Sequence, residues 1–247
     1  RGPQGMLYGA GTLSGAIRYI PNRPSFSGRT LDFRAGAYNY AEGSGISGSI
    51  GFTFNLPLSD TFAVRGSLDY LDAQGFIDYA TVVKNIGVSD PDPNFGNPAA
   101  VAANLMRVKD ANTERTLSGR VGLRWAPTDA LDINLTYYYQ DQDVGGRQIS
   151  SARSTVPVGR WESSMRVLEP ESRTDQLVAL EVTYDLGFAE LTSATGYSRY
   201  DESGQRDQTD LLIGLEYGYE AFPAFTAFTL DVSRQTTITQ EFRLVST

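Results

Sequence analysis

The sequence predicts an all-β protein, folded as an antiparallel up-and-down meander of about eight long strands. Apolar and polar residues alternate along several segments, so that each predicted strand has one apolar face. The connections between these segments are alternately short turns and long polar stretches. Helical periodicity is nearly absent from the chain, whose 247 residues are enough for one large β domain.

The first four predicted strands carry their apolar side chains at every second position. In residues 61–70, Phe62, Val64 and Leu68 face one way and Arg65 faces the other. The same alternation defines strands at 29–38 (Leu31, Phe33, Ala35 and Ala37), 46–56 (Ile46, Ile50, Phe52 and Phe54) and 117–125 (Leu117, Val121, Leu123 and Trp125).

The last four predicted strands follow the same rule, with one weak member. Residues 188–200 have only Leu191 and Tyr197 as clear apolar anchors. Strands of about nine to thirteen residues are long enough to cross a bilayer at a tilt. The other three strands lie at 131–140 (Leu131, Ile133, Leu135, Tyr137 and Tyr139), 177–184 (Val178, Leu180, Val182 and Tyr184) and 238–244 (Ile238, Phe242 and Leu244).

The lengths of the connections favour a membrane barrel over a soluble sandwich. Short turns on one rim and long loops on the other are typical of bacterial outer-membrane barrels, whereas a sandwich has medium loops at both ends. The short turns are predicted at 57–60, 127–130 and 185–187, and the long connections at 73–113, 143–172 and 201–232.

Aromatic residues near the strand ends favour the same class. On the apolar face, such rings suit the level of the lipid headgroups. The alternative is ordinary cross-strand packing of aromatic rings in a sheet. The residues concerned are Tyr70, Trp125, Tyr137, Tyr139, Tyr184 and Tyr197.

Composition excludes several classes of function. The net charge of −8 argues against a nucleic-acid partner, because phosphate binding needs a basic surface. The chain has no cysteine, so disulfides and thiolate metal sites are excluded. It also has no histidine, which removes the Ser-His-Asp triad and the usual zinc site. We therefore expect no enzyme activity, no resident cofactor and no metal site.

Two segments imitate ligand-binding loops. Residues 9–15 resemble a phosphate-cradling loop, but the following segment reads as a short strand ended by Pro21 rather than as a helix. Residues 90–96 offer oxygen ligands at alternate positions, as a calcium loop does, but Val101 stands where the bidentate glutamate belongs. A solvated turn cluster is the simpler interpretation of this second segment.

The N-terminal residues carry a more specific pattern. Arg1-Gly2-Pro3-Gln4-Gly5, Tyr8-Gly9 and Gly15-Ala16-Ile17, followed by the link 21–24, resemble the end of the plug domain of TonB-dependent outer-membrane receptors. The run 239–246 resembles a barrel strand that is common in the same family. The resemblance divides the chain into the end of a plug (1–24) and the first part of a transmembrane β-barrel (25–247), of the type with twenty-two strands in that family.

The resemblance implies active uptake across the bacterial outer membrane. Its expected partners are outer-membrane lipid, the TonB energy-coupling complex acting through the missing N-terminal part of the plug, and a small-molecule or metal-chelate ligand. In this family the solute is usually a ferric siderophore, sometimes haem, cobalamin or a glycan. The first strand would rise from the periplasm, so that the long connections would be extracellular.

Polar residues on the inner face of the barrel are the candidates for contact with the plug or the solute. The alternative is that they pair with plug residues or only hydrate the wall. Loop aromatics such as Phe95, Trp161, Tyr217, Tyr219, Phe222, Phe225 and Phe228 could touch a ligand, or pack together above the membrane. The predicted lumen-facing residues are Arg34, Arg65, Asp69, Arg120, Arg124, Asp132 and Glu181.

Two other functions fit parts of the pattern. A passive porin or channel would share the barrel but would lack the plug pattern of residues 1–24. A soluble or surface β-rich adhesion module would need no outward apolar band and would stay in buffer without detergent. As a fragment of a wider wall, the sheet is expected to have two open edges that favour aggregation.

Overall fold

The computed structural model describes residues 20–150, 156–215 and 222–246. Eleven strands and two short helices are assigned in this part of the chain. In chain order they are β1 (Thr30–Tyr38), β2 (Ser47–Pro57), β3 (Phe62–Ala73), β4 (Asp78–Val83), α1 (Pro98–Asn104), β5 (Leu105–Val108), β6 (Glu114–Thr128), β7 (Leu131–Val144), β8 (Glu162–Ser163), β9 (Glu171–Asp185), β10 (Ala189–Asp207), α2 (Thr209–Gly214) and β11 (Phe228–Ser246).

The main sheet has eight strands in the order β1-β2-β3-β6-β7-β9-β10-β11. All neighbouring pairs are antiparallel. The all-β class and the antiparallel meander are therefore confirmed, and each of the eight predicted strands is present. Within the described residues, β1 and β11 are the open edges of this sheet.

The strand register confirms the predicted alternation. One row of directly paired residues crosses the whole main sheet, and every member is apolar, aromatic or glycine. Directly paired residues share a face of a sheet, so the apolar sides of all eight strands form one surface, the apolar face, and the other side is the polar face. The row is Leu31, Phe54, Gly66, Val121, Tyr137, Val178, Tyr197 and Ile238.

The short turns lie at one rim of the sheet, as predicted. The turn after β2 is closed by a hydrogen bond of 2.8 Å from the Leu58 amide to the Phe62 carbonyl. The turn between β9 and β10 needs Gly187, whose φ of 84° lies in the left-handed region. The main-sheet strands on each side of these turns are joined to their other neighbours by the longer connections, all at the opposite rim.

Several strands extend further than predicted, and the predicted connection 201–232 is wrong at both ends. β10 and β11 pair without interruption from Ala189 and Ser246 to Asp207 and Phe228. The upper part of β10 is polar on both faces and has no apolar alternation, whereas β11 there places Phe228, Leu230 and Val232 on the apolar face. Backbone hydrogen bonds and ion pairs, such as Arg206 with Asp231 at 3.0 Å, accompany the extension.

The long connections contain a second structural unit, which was predicted only as polar loops. Strands β5, β4 and β8 form a small sheet in that order. We call residues 74–113, 145–150, 156–170 and 208–215 the cap. Its buried cores are one cluster around Ile77, Tyr79 and Val82, and another around Val83, Leu105 and Val167.

Candidate functional site

All the predicted lumen-facing residues lie together on the polar face. Their positions alternate with those of the apolar row in every strand that carries them. Sequence periodicity therefore placed Arg34, Arg65, Asp69, Arg120, Arg124, Asp132 and Glu181 on one common face of the main sheet, and that this face lines a barrel lumen stays a prediction.

Several of these residues pair with each other. The Arg34 guanidinium donates to Asp69 Oδ1 at 2.7 Å and to Thr53 Oγ1 at 2.9 Å. Arg124 Nε donates to Asp132 Oδ2 at 2.9 Å. Such partly exposed pairs contribute about 0–1 kcal/mol each, so their main effect is to fix the orientation of the side chains.

Residues 20–28, which we call the entry segment, contact the polar face before β1 begins. Arg120 donates through a terminal guanidinium nitrogen to the Asn22 carbonyl at 2.9 Å. Arg23 forms an ion pair with Glu181. Arg65 lines a cavity of about 160 Å³ together with Asn22 and Arg120. Two of the predicted residues, Arg120 and Glu181, therefore contact the incoming chain and do not face open solvent alone.

The second half of the entry segment is held by Asn55, which sequence reasoning missed. Asn55 accepts from the Ser25 amide at 2.8 Å and donates to the carbonyls of Ser25 (2.9 Å) and Gly28 (2.7 Å). The guanidinium carbon of Arg124 lies 4.6 Å from the centre of the Phe26 ring, a cation–π distance. The only sequence signal for Asn55 was its place on the polar side of β2.

A cavity of about 600 Å³ opens on the polar face nearer the long-connection rim. Arg120 lies over the Tyr138 ring at 5.4 Å from its centre. The cavity offers cationic, anionic, hydroxyl and amide groups, which suits a polar surface or solute of mixed chemistry. Its lining includes Asp69, Arg120, Tyr138, Gln140, Asp175 and Tyr200.

The cap is joined to the sheet by a buried carboxylate. Glu169 is 3% exposed and accepts from Tyr79 (2.9 Å), from Arg147 (2.7 and 2.9 Å) and from the amide of Asp207 (3.0 Å). Burial, followed by the charge of Glu169, raises the pKa of Tyr79. The hydrogen bonds to Glu169 raise the pKa of Arg147. The network thus joins parts of two connections to the end of β10.

A second buried group lies in the centre of the cap. Arg166 is 0% exposed, and its guanidinium donates to the carbonyls of Pro91 and Ser164 and to Thr81 Oγ1. Its terminal nitrogen lies 3.8 Å from Asp92 and 3.5 Å from Asp210. Contacts from three separate connections therefore meet on one cation.

The predicted loop aromatics have different environments. Phe95 packs against the second cap cluster, and the Trp161 ring lies 5.9 Å from the Phe76 ring. Phe222 is 67% exposed. Tyr217 and Tyr219 lie outside the described residues. Packing within the cap accounts for Phe95 and Trp161, which leaves Phe222 as a clearly exposed aromatic.

Protonation of Glu162 is expected to loosen one edge of the cap. The backbone N–H of Gly159 and the guanidinium of Arg107 hold the pKa of Glu162 below its ordinary value of 4.5, although burial opposes them. A carboxyl with a lowered folded pKa stabilises the fold above the unfolded value and loses this contribution as pH falls through the folded value. Between pH 6 and 3, Trp161 fluorescence in a Trp125→Phe background should therefore change, starting below about pH 4.5.

The Glu162→Gln variant should lose that acid-dependent change, because its amide does not titrate in this range. Glu190→Gln, at an exposed position of β10 next to the short-turn rim, is the matched control and should retain it. An identical fluorescence titration in the Glu162→Gln variant would contradict the assignment.

The two imitated ligand loops gain no support as binding sites. In residues 90–96, the Asp90 and Asn94 side chains accept from the amides of Asp92 and Gly96, both at 2.9 Å, which makes two local turns. The described residues contain no cluster of three or more acidic side chains placed to hold a metal. Residues 9–15, and the plug-pattern residues Arg1, Gly2, Pro3, Gly5, Tyr8, Gly9 and Gly15, lie outside the described part.

None of the helices in the described part is both long and apolar enough to span a membrane. Comparison of the chain with protein-family models and with curated proteins gives no match in either case.

Proposed function

We propose that the chain is part of a TonB-dependent outer-membrane receptor, comprising the end of the plug and the first eight strands of a larger barrel. On the apolar face, the stretches of apolar side chains in neighbouring strands form a continuous zone, which we call the apolar band. The observation that carries this proposal is that the apolar band runs obliquely across the main sheet. A band parallel to the membrane must cross the paired rows obliquely if the strands are tilted, as the strands of barrels are.

The size of this obliqueness can be read from the strand register. Leu31 is the apolar residue of β1 nearest the short-turn rim, and its row across the sheet ends at Ile238 of β11. From Ile238, the apolar side of β11 continues toward the short-turn rim as far as Leu244. The band thus shifts by 244 − 238 = 6 residues over the seven steps between eight strands. With strand spacing near 4.8 Å and rise near 3.3 Å, this is a tilt of about 30°, close to the range for barrels.

Exposure of the apolar face supports a lipid environment. Phe33 is 75% exposed, Ile50 63% and Phe242 71%, on a surface that extends over all eight strands. A soluble protein rarely exposes so large a contiguous apolar surface. Trp125 (47%) and Tyr184 (43%) lie on this face near the short-turn rim, where aromatic rings suit a lipid headgroup boundary.

The polar face and the entry segment favour a receptor over a passive channel. The incoming chain runs along the polar face and is held by Arg120, Glu181 and Asn55. A plug joined to the barrel at this point would lie on the polar face, whereas an open channel needs that face free. In this proposal the cap is extracellular and the short turns are periplasmic. The solute is a scarce or bulky one, most simply a ferric chelate of the siderophore class.

Labelling of intact cells tests the proposed orientation. Because these 247 residues contain no cysteine, Val88→Cys in the cap and Ser59→Cys in a short turn can be introduced singly into the full-length protein after any cysteine elsewhere in it has been replaced by serine. A membrane-impermeant maleimide should label the first variant in intact cells and the second only after permeabilisation. Equal labelling of both in intact cells would contradict the orientation.

Iron uptake tests the transport function. Cells that express the full-length protein should accumulate radioactive iron from ferric siderophores only when TonB is present. Uptake that persists without TonB, together with swelling of liposomes containing the protein, would favour a passive channel instead. Recovery of the protein from buffer without detergent would favour the soluble adhesion module.

A further inference from the structure

The entry segment is fixed to the sheet most firmly at one residue. Asn55 is 3% exposed and makes three hydrogen bonds to the backbone of Ser25 and Gly28. A buried side-chain amide with satisfied donors and acceptor is costly to separate, because its polar groups would lose their partners. Pro24 is also buried, so this contact excludes water.

The contacts that precede this point are weaker. The Arg23 and Glu181 side chains are 48% and 35% exposed, and exposed ion pairs contribute about 0–1 kcal/mol. Asn22 is held by one hydrogen bond, from Arg120. Residues 20–23 therefore have a smaller barrier to leaving the polar face than residues 24–28.

We call the contacts of Asn55 with residues 24–28 the anchor. A pulling force on the preceding chain reaches the anchor before it reaches β1. This strand is an edge of the described sheet and pairs only with β2. A pull from its N-terminal end would open the β1 and β2 ladder one residue at a time, starting at Thr30. Asn55 belongs to β2, where it faces Thr30 on one side and Arg65 of β3 on the other. A force borne by Asn55 is therefore carried by a strand with two neighbours.

Arg124 gives the anchor a second attachment. It belongs to β6, the next strand beyond β3, and it contacts both the Phe26 ring and, at 3.5 Å, the Pro24 carbonyl. A pulling force on the entry segment is thereby shared between β2 and β6, which are separated by β3.

We propose that residues 24–28, held by Asn55 and Arg124, are a mechanical stop for the chain that enters the sheet. Residues 20–23 are the releasable arm, and the stop prevents a pull on the preceding chain from unzipping β1. This inference rests on the proposed function, in which such a pull arises from energy coupling through TonB.

The test is single-molecule force spectroscopy of the full-length protein in lipid nanodiscs, with the handle attached at its N-terminus. After any events from the preceding chain, the wild type should show a low-force release of the arm and then a separate event at higher force. In Asn55→Ala the later event should move to lower force, and the chain should lengthen by about 50 Å as residues 24–38 detach.

Matched variants make the outcome specific. Asn112→Ala removes another buried asparagine, which accepts from the amides of Phe76 and Ile77 in the cap and does not contact the entry segment, so both events should remain. Arg23→Ala should weaken only the first event. Phe26→Ala is a second anchor variant, for use if Asn55→Ala does not insert, and should lower the force of the later event.

A force curve for the inserted anchor variants that matches the wild type would overturn the mechanical stop. Insertion into nanodiscs and TonB-dependent iron uptake are measured on the same wild-type protein. If these fail, the proposed function fails. If they succeed while Asn55→Ala and Phe26→Ala leave the force curve unchanged, only the mechanical stop is rejected.

Discussion

Leu180→Arg is expected to destabilise the folded protein in a bilayer by about 2–4 kcal/mol, because it places a charge in the middle of the apolar band that we propose to face lipid. Leu180 is paired with Leu135 on one side and Thr195 on the other, and its apolar neighbours along β9 are Val178 and Val182. The measurement is the free energy of unfolding in urea of the full-length protein, refolded reversibly into short-chain lipid vesicles.

Ala179→Arg is the matched control, because it adds the same side chain at the adjacent residue on the polar face. Its row neighbours are the small residues Thr136 and Gly196. Ala179 is half-buried on the polar face, and we expect a change of about 1 kcal/mol or less, well below that of Leu180→Arg. Leu180 is 37% exposed in the structure, so a sheet in buffer would tolerate both variants similarly. Equal and small effects would therefore count against a lipid-facing band.

Arg166→Met is expected to open the cap while the main sheet stays folded. The substitution leaves the carboxylates of Asp92 and Asp210 and the carbonyl of Pro91 without the guanidinium that they contact. Removing one partner from a buried ionic group costs about 3–5 kcal/mol, which raises the population of the opened cap by about 10²–10⁴-fold. Protease cleavage within residues 74–113, under conditions of rapid reclosing, measures this population.

Two further variants test whether the loss of a buried charge partner causes the opening of the cap. Arg107→Met removes a guanidinium that is 45% exposed and pairs with Asp78 and Glu162, so cleavage should rise by less than about tenfold. Adding Asp92→Asn and Asp210→Asn to Arg166→Met should restore part of the protection, because the unpaired charges are then removed. Cleavage of Arg166→Met at the wild-type rate would show that this cation does not hold the cap together.

Local alternation was enough to predict the eight strands and the face of each polar candidate. In residues 61–70 the period of two is unbroken, and β3 has the predicted faces. The same reasoning failed where β10 and β11 rise above the apolar band. There β10 is polar on both faces, so its segment has no periodic signal and the strand is maintained by its pairing with β11. β11 does alternate there, with Phe228, Leu230 and Val232 on the apolar face, but this short run lies inside a segment predicted as a loop.

The cap could not be predicted in the same way, because its contacts join residues that are far apart in the sequence. Tyr79 meets Glu169 across 90 positions, and Thr81 meets Arg166 across 85. Neither pair has a periodic or motif-like signature in one sequence. Apolar residues such as Val83, Leu105 and Val167 lie in segments predicted as loops, and they form a buried cluster only when two of the long connections are brought together.

The sequence by itself determined the all-β class, the meander order and the two chemically different faces of the main sheet. It could do so because strand periodicity and turn spacing are local properties of the chain. Only the tertiary structure decided that Asn55 holds the entry segment, that Arg166 and Glu169 organise the cap, and that the apolar band runs obliquely across the strands. These depend on register and on contacts between distant segments, which are set when the whole chain packs.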